Sequence, residues 1–289
     1  MANIGASDYE FIRGLVYDLS RIDLGSDKQE LVAARIRKRL RSLGLEDFNQ
    51  YCHYLRSAGG AEELPTLLDV ISTNVTEFFR ERQHFEFMER TALPEWSQRQ
   101  GRRPAGPFRV WSAACSSGEE PYTIAITLAE YARQRPEFTW QVEASDISTR
   151  MLKVATQGVY RAERIKLPEP EWLRRYFQRG VGAHEGSCRV KAALRNQVAF
   201  HHVNLFGPAY PLRPGLDVIF CRNVMIYFDR ATQEHLVSRL TAHLAPGGYL
   251  LLGHSESLIG IRHRLATVRP SVFRNPGVGA GVPALAASR

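Results

Sequence analysis

Several absences narrow the possibilities before any motif is read. The 289 residues hold only four cysteines, Cys52, Cys115, Cys188 and Cys221, scattered and with no C-x-x-C pair. That argues against a disulfide framework or a thiolate zinc site and for a reducing compartment; no metal is expected. No apolar run reaches membrane-spanning length, and Asp8 and Glu10 break up the N-terminus where a leader would be apolar. A cytoplasmic protein without membrane insertion is therefore expected. Internal repeats are missing. So is the G-x-G-x-x-G fingerprint of dinucleotide binding, which disfavours a nicotinamide dehydrogenase. Acid is missing too from one long stretch, Leu31 to Leu45, although the chain as a whole carries 30 Asp and Glu against 38 Lys and Arg. The net charge of +8 points to an acidic partner without saying which.

What is present is organised around FRVWSAACSSGEEPY, Phe108 to Tyr122. Val110 and Trp111 favour a strand, Ser116, Ser117 and Gly118 a tight turn, and Pro121 belongs in the first turn of a helix. Strand, small turn and helix is how a doubly wound sheet brings backbone close to a nucleotide-like ligand. A helix N-terminus attracts anions, yet Glu119 and Glu120 occupy this one. The pair either complements the helix dipole or faces a ligand bearing a cation and hydroxyls. S-adenosylmethionine, with an ammonium, a sulfonium and a ribose but no phosphate, is such a ligand.

Upstream, residues 8–22 and 28–43 show helical spacing, with Ser26 and Gln29 placed as a capping box and Gly44 as the stop. Residues 47–55 and 64–71 follow as two more helices around Gly59 and Gly60. In the second helix Val32, Ile36, Leu40 and Leu43 share a face. Arg35, Arg37, Lys38 and Arg41 spread over the other, with Arg39 at its edge. This face is either solvated or a docking surface for an acidic partner. QRQGRRPAGP, residues 98–107, reads as a linker. The expected domains are 1–90, helical; 91–107, linker; 108–275, an α/β domain; and 276–289, a disordered tail. Within 108–275 strands at 108–113, 141–144, 198–203, 217–221 and 249–253 alternate with helices at 121–134, 149–157 and 230–244, implying a mostly parallel sheet. A glycine-punctuated gap at 172–198 reads as a small antiparallel insertion.

Ligands bind beyond the carboxyl ends of such strands. Those ends carry Glu119; Asp146, placed for ribose hydroxyls or as a helix N-cap; Asn204 and Leu205, suited to an adenine edge and face; and Arg222 and Asn223, facing a ligand or capping a loop. 

Taken together, ISTNVTEFFRE, VWSAACSSGEEPYTIAI, ASDIS, RYFQRGVGAHEG, VNLF, DVIFCRNVMIYFD and LAPGGYLLLGHSES resemble the bacterial chemotaxis receptor methyltransferases of the CheR type, over nearly all of residues 8–275. The resemblance implies a small all-α N-terminal domain, a class I S-adenosylmethionine-dependent methyltransferase domain of Rossmann-like doubly wound α/β fold, and an inserted antiparallel β-subdomain. It implies that Asn74, Thr76, Arg80, Glu119, Asp146, Asn204, Leu205, Arg222 and Asn223 meet the cofactor, whose product is S-adenosylhomocysteine, and that Tyr227 lies near the transferred methyl. Tyr227 and Arg80 are the catalytic candidates. The substrate implied is a glutamate on the cytoplasmic helical region of methyl-accepting chemoreceptors, with Arg35, Lys38 and Arg41 docking it. The Gly182–Gly186 turn resembles a loop that in some members binds a receptor C-terminal peptide by strand addition. Two other readings share the fold. A nucleic-acid methyltransferase lacks its Asp/Asn-Pro-Pro-aromatic segment here, because that position reads Arg222-Asn223-Val224-Met225. A non-catalytic cofactor-binding scaffold sits poorly with intact Glu119, Asp146 and Tyr227. A monomer without nucleic acid is the expectation.

Overall fold

The structure is a computed structural model that describes residues 3–100 and 106–277. Four helices come first: α1 (Ala6–Ser20), α2 (Gln29–Leu43), α3 (Phe48–Arg56) and α4 (Gly60–Ile71). Their apolar stripes meet in one core around Ile12, Val16, Ile36, Tyr51 and Leu67. Local chemistry sets the ends. Asp47 accepts from Gln50 N at 2.8 Å to start α3, and Gly44, at φ +70°, stops α2. The capping box foreseen at Ser26 and Gln29 does not form. A 3₁₀ turn, Ser26–Lys28, intervenes, and Gln29 Nε2 reaches back to the Ile4 carbonyl instead.

The core changes identity after Ile71. From Phe78 on, the buried apolar residues join the cores around the sheet, although Ile147 also packs against the four-helix core. Helix α5 (Gln83–Phe87), a π-helical turn (Met88–Ala92) and α6 (Leu93–Gln100) run on continuously and bury Phe85, Met88, Leu93 and Trp96. Phe85 stacks on Phe220 at 5.5 Å, and Trp96 meets Phe108 edge-on at 5.6 Å. Residues 91–100, expected as linker from their polar composition, are thus helical with two anchors in the core. Residues 101–105 of that expected linker, and 278–289 of the expected tail, lie outside the described residues. We infer that the domain boundary falls near residues 72–74 rather than at 91–107.

The sheet domain follows in the order β1 (Phe108–Ala113), α7 (Glu119–Arg133), β2 (Trp140–Asp146), α8 (Thr149–Gln157), β3 (Val159–Arg161), α9 (Pro170–Tyr176), β4 (Phe177–Arg179), β5 (Ser187–Val190), α10 (Ala192–Arg195), β6 (Val198–His202), β7 (Leu216–Cys221), α11 (Arg230–His243), β8 (Leu244–Leu252), β9 (Ala266–Arg269) and β10 (Val272–Arg274). Seven strands form one sheet in the order β6-β2-β1-β7-β8-β10-β9. The first five run parallel, and β10 pairs antiparallel with both β8 and β9. The strand order reverses between β1 and β7, so the crevice for a ligand opens at their carboxyl ends. β3, β5 and β4 make a separate antiparallel sheet. It starts at Val159, earlier than the 172 read from glycine spacing, because β3 has only three residues and shows no pattern of its own.

Candidate active site

A cavity of about 170 Å³ opens at those carboxyl ends, beneath α2 and the segment 71–77. The strand ends contribute Ser116, Glu120, Asp146, Asn204, Leu205, Arg222, Asn223 and Tyr227 to its wall. The interdomain segment adds Asn74, Thr76 and Arg80, and α2 adds Arg35. Residues as far apart in sequence as Arg35 and Tyr227 therefore meet in one place; of the expected site residues, Glu119, Lys38 and Arg41 do not line this cavity.

The turn after β1 is built on positive backbone angles. Ala114, Ser116 and Gly118 have φ of 62°, 50° and 97°. Only glycine suits the last: a Cβ at 118 would stand 2.8 Å from Ala155 Cβ and from Tyr160 Oη. The turn aims the Ser116 amide at Asp146, whose Oδ2 accepts it at 2.7 Å while Oδ1 accepts Ser148 N at 2.8 Å. Asp146 is not the cap of α8; Ser148 is, accepting Met151 N at 3.0 Å. Burial pushes the Asp146 carboxyl above its ordinary range, opposed by these amides.

Two adjacent glutamates go separate ways. Glu120 lines the cavity, accepts the Ser112 hydroxyl at 2.7 Å and pairs with Arg222 at 3.0 Å. Glu119 turns aside to the Ser117 hydroxyl at 2.6 Å and lines a neighbouring groove. Residues one apart on a helix point about 100° apart, so one of the pair must leave the crevice. Glu120 therefore lines the cavity, and Glu119, expected there, lies outside it.

Arg222 is the hub. It is 6% exposed and reaches Glu120, Glu81 at 3.0 Å and the Arg80 carbonyl at 2.5 Å. Burial would raise Glu81, but the Arg222 charge and hydrogen bonds hold it below the usual carboxylate range. Phe79 and Glu81 both have positive φ, 57° and 54°, and Arg80 stands between them, donating to the Val75 carbonyl at 2.8 Å. Such angles cost energy in non-glycine residues and cluster where function fixes a loop. Glu81, His84 and His254 bring possible metal-ligating atoms within 4.8 Å. Glu81 is already taken by Arg222, and burial together with the Arg222 charge lowers His84 to about 3. The cluster is thus a neutral-imidazole contact beside an ion pair.

Sequence reading missed Glu256. Buried at 6%, it accepts the amides of Gly253, Asn223, Val224 and Met225 at 2.6, 2.8, 2.9 and 2.7 Å. It locks the loop after β7 to the loop after β8 and holds Asn223 at φ 57°. The GHSES run after a strand was its signal. Asn204 is also tied inward: its Nδ2 donates to the Leu19 carbonyl at 2.7 Å and its Oδ1 accepts Phe206 N at 2.9 Å. It joins α1 to the site and keeps one side-chain N–H unused. Tyr227 stands half-buried at the cavity wall on a 3₁₀ turn, Met225–Tyr227.

The basic face of α2 divides. Arg39 pairs with buried Glu63 at 2.6 Å, and Arg35 holds the end of α4 through the Ile71 carbonyl and Thr73 Oγ1 at 2.9 Å. Lys38 and Arg41 are exposed and have no hydrogen-bond or ion-pair partner among the described residues.

Buried Asp146 and half-buried Glu120, an apolar strip of Ile147, Val203 and Leu205, and no glycine cradle for phosphate among the described residues fit a cationic nucleoside. With the strand order, they define a class I S-adenosylmethionine-dependent methyltransferase. Two family profiles match the chain: "CheR methyltransferase, all-alpha domain" over residues 7–72 and "CheR methyltransferase, SAM binding domain" over residues 74–273. The "Chemotaxis protein methyltransferase" of Salmonella typhimurium is 44% identical over 256 residues, covering 88% of this chain and 85% of that one. Its namesake in Escherichia coli is 42% identical over 272 residues, covering 93% and 92%. A solved structure of the plantazolicin methyltransferase BpumL in complex with SAH overlaps faintly, with TM-score 0.31 and 13% identity over 64% of this chain and 56% of that one. The chain belongs to the CheR methyltransferase family.

Proposed function

We propose that this chain methylates glutamate side chains on the cytoplasmic helical region of chemoreceptors, as a protein-glutamate O-methyltransferase. The observation that carries the reading is one cavity lined together by half-buried Glu120, buried Asp146, Arg80 and Tyr227. Bound S-adenosylmethionine supplies an electrophilic methyl on sulfur. Glu120 is the residue for its ammonium end, Asp146 for the ribose, Leu205 and the free N–H of Asn204 for the base; Asn74 and Thr76 flank them. The substrate carboxylate is already ionised at pH 7, so the chain needs no general base. Its task is orientation and exclusion of water, effects that reach roughly 7–11 kcal/mol.

Arg222, with its hydrogen bonds taken by Glu81, Glu120 and a carbonyl, organises the site and leaves the substrate alone. Arg80 retains donors for a carboxylate, and the Tyr227 hydroxyl positions the attacking group. Lys38 and Arg41 steer the acidic receptor helix, with Arg35 between them and the cavity. The exposed Gly182–Gly186 turn lies beside β4, an edge strand able to take a receptor C-terminal peptide. No helix among the described residues is long and apolar enough to cross a membrane.

The test is transfer of labelled methyl to receptor-containing membranes. Base-labile esters are expected, and Tyr227→Phe should lower kcat about tenfold or more with unchanged affinity for S-adenosylhomocysteine. Base-stable label, or label confined to nucleic acid, contradicts the reading.

A further inference from the structure

Beside the cofactor cavity lies a second, open groove of about 850 Å³, and its charge is one-sided. One wall is α2, with Arg35 and Lys38. The other is built by the sheet domain, with Arg150 on α8, Arg161 on β3 and Arg164 just after it. Asp69 and Glu119 are the acids on its lining, and Glu119 is 4% exposed with its carboxylate on the Ser117 hydroxyl. Lys38, Arg150, Arg161 and Arg164 are all exposed, and none of their side chains makes a hydrogen bond or ion pair with a described residue.

The groove and the cavity are contiguous. Arg35 and residues 72–75 line both. A chain lying in the groove therefore reaches the cavity mouth. Val75, 74% exposed, and Val159, 40% exposed, give it apolar contacts on the way.

We propose that this groove is the second half of the substrate-docking surface. It receives an acidic helical segment of the protein substrate, so that α2 and the α8–β3 corner grip it from both sides. The inference rests on the methyltransferase reading above and extends it to Arg150, Arg161 and Arg164, which no motif singled out. Acids at i, i+3/i+4 and i+7 share one face of a helix, 5.4 Å per turn, so one carboxylate can enter the cavity while its neighbours meet the arginines. These are exposed charges, so their effect falls on encounter and KM and is sensitive to salt.

The decisive variant is Arg150→Glu/Arg161→Glu/Arg164→Glu in the full chain, assayed on receptor membranes at low and high salt, with S-adenosylhomocysteine affinity measured by calorimetry as the check on folding. KM should rise roughly tenfold at low salt and lose most of its salt dependence, while kcat and cofactor affinity stay within about twofold. Arg150→Lys/Arg161→Lys/Arg164→Lys should keep KM within about threefold of wild type. An unchanged KM across the salt range overturns the proposal and leaves the methyltransferase reading intact. Tighter binding of a DNA oligonucleotide than of an acidic helical peptide overturns it as well. Wild-type enzyme that leaves receptor membranes unlabelled sinks the underlying reading, and the groove assignment with it.

Discussion

The two ends of one sheet give their buried charges very different company. At the carboxyl ends of the strands every buried ion is provided for: Arg222 joins Glu81 to Glu120, Asp146 accepts two amides and Glu256 four. Five non-glycine residues there, Phe79, Glu81, Ala114, Ser116 and Asn223, hold positive φ. At the amino end of β7, Asp217 is 8% exposed with one backbone donor, Arg109 N at 2.9 Å, and no ion pair with a described residue. Burial pushes its carboxyl up to about 6, against the pull of that amide. The difference shows where charge is kept for a purpose. At the site burial also pushes Glu120, Asp146 and Glu256 up, but a guanidinium or several amides oppose it in each case; at the far end Asp217 has one amide against its burial.

The largest break of this contrast is Arg222→Ala. It strands Glu81 and Glu120 in a buried pocket, so stability in urea should fall by about 3–5 kcal/mol. A loss below about 1 kcal/mol would mean that the carboxylates are not held by this guanidinium. A smaller effect, of opposite sign, is expected for Asp217→Asn. With its folded pKa raised, Asp217 adds no penalty below about pH 4, and the cost grows as pH climbs through 6. The amide should therefore stabilise the protein by roughly 2 kcal/mol at pH 8 and by nearly nothing at pH 4. Thermal melts at the two pH values check the sign, and equal shifts at both would contradict it.

Much of this was legible in residues. Strand, turn and helix from Phe108 to Tyr122 follow from Val110, Trp111, Gly118 and Pro121, and the α8 boundaries follow from Ser148 and Gly158. The acids and amides at strand ends follow from the topology alone, because position in a parallel sheet predicts nearness to the crevice. Other features were not legible, for physical reasons. Leu93 and Trp96 sit in polar surroundings that read as linker, yet two large apolar anchors suffice to hold a helix on the sheet. Glu119 and Glu120 are chemically identical, and only the helix rotation and the position of Arg222 separate them. The members of the α2 basic face look alike in sequence, but Glu63, 24 residues away on α4, claims Arg39, and the end of α4 claims Arg35. Arg150, Arg161 and Arg164 belong to no pattern; the groove that gathers them exists only after the helical domain docks.

One titration decides which of the two neighbouring carboxylates, Glu119 or Glu120, faces the cationic nucleoside. Calorimetric affinity for S-adenosylhomocysteine should drop about tenfold or more in Glu120→Gln, since hydrogen bonds to charged groups are worth roughly 1.5–3 kcal/mol, while Glu119→Gln stays within about twofold of wild type. Loss of affinity in Glu119→Gln with Glu120→Gln unaffected would contradict it.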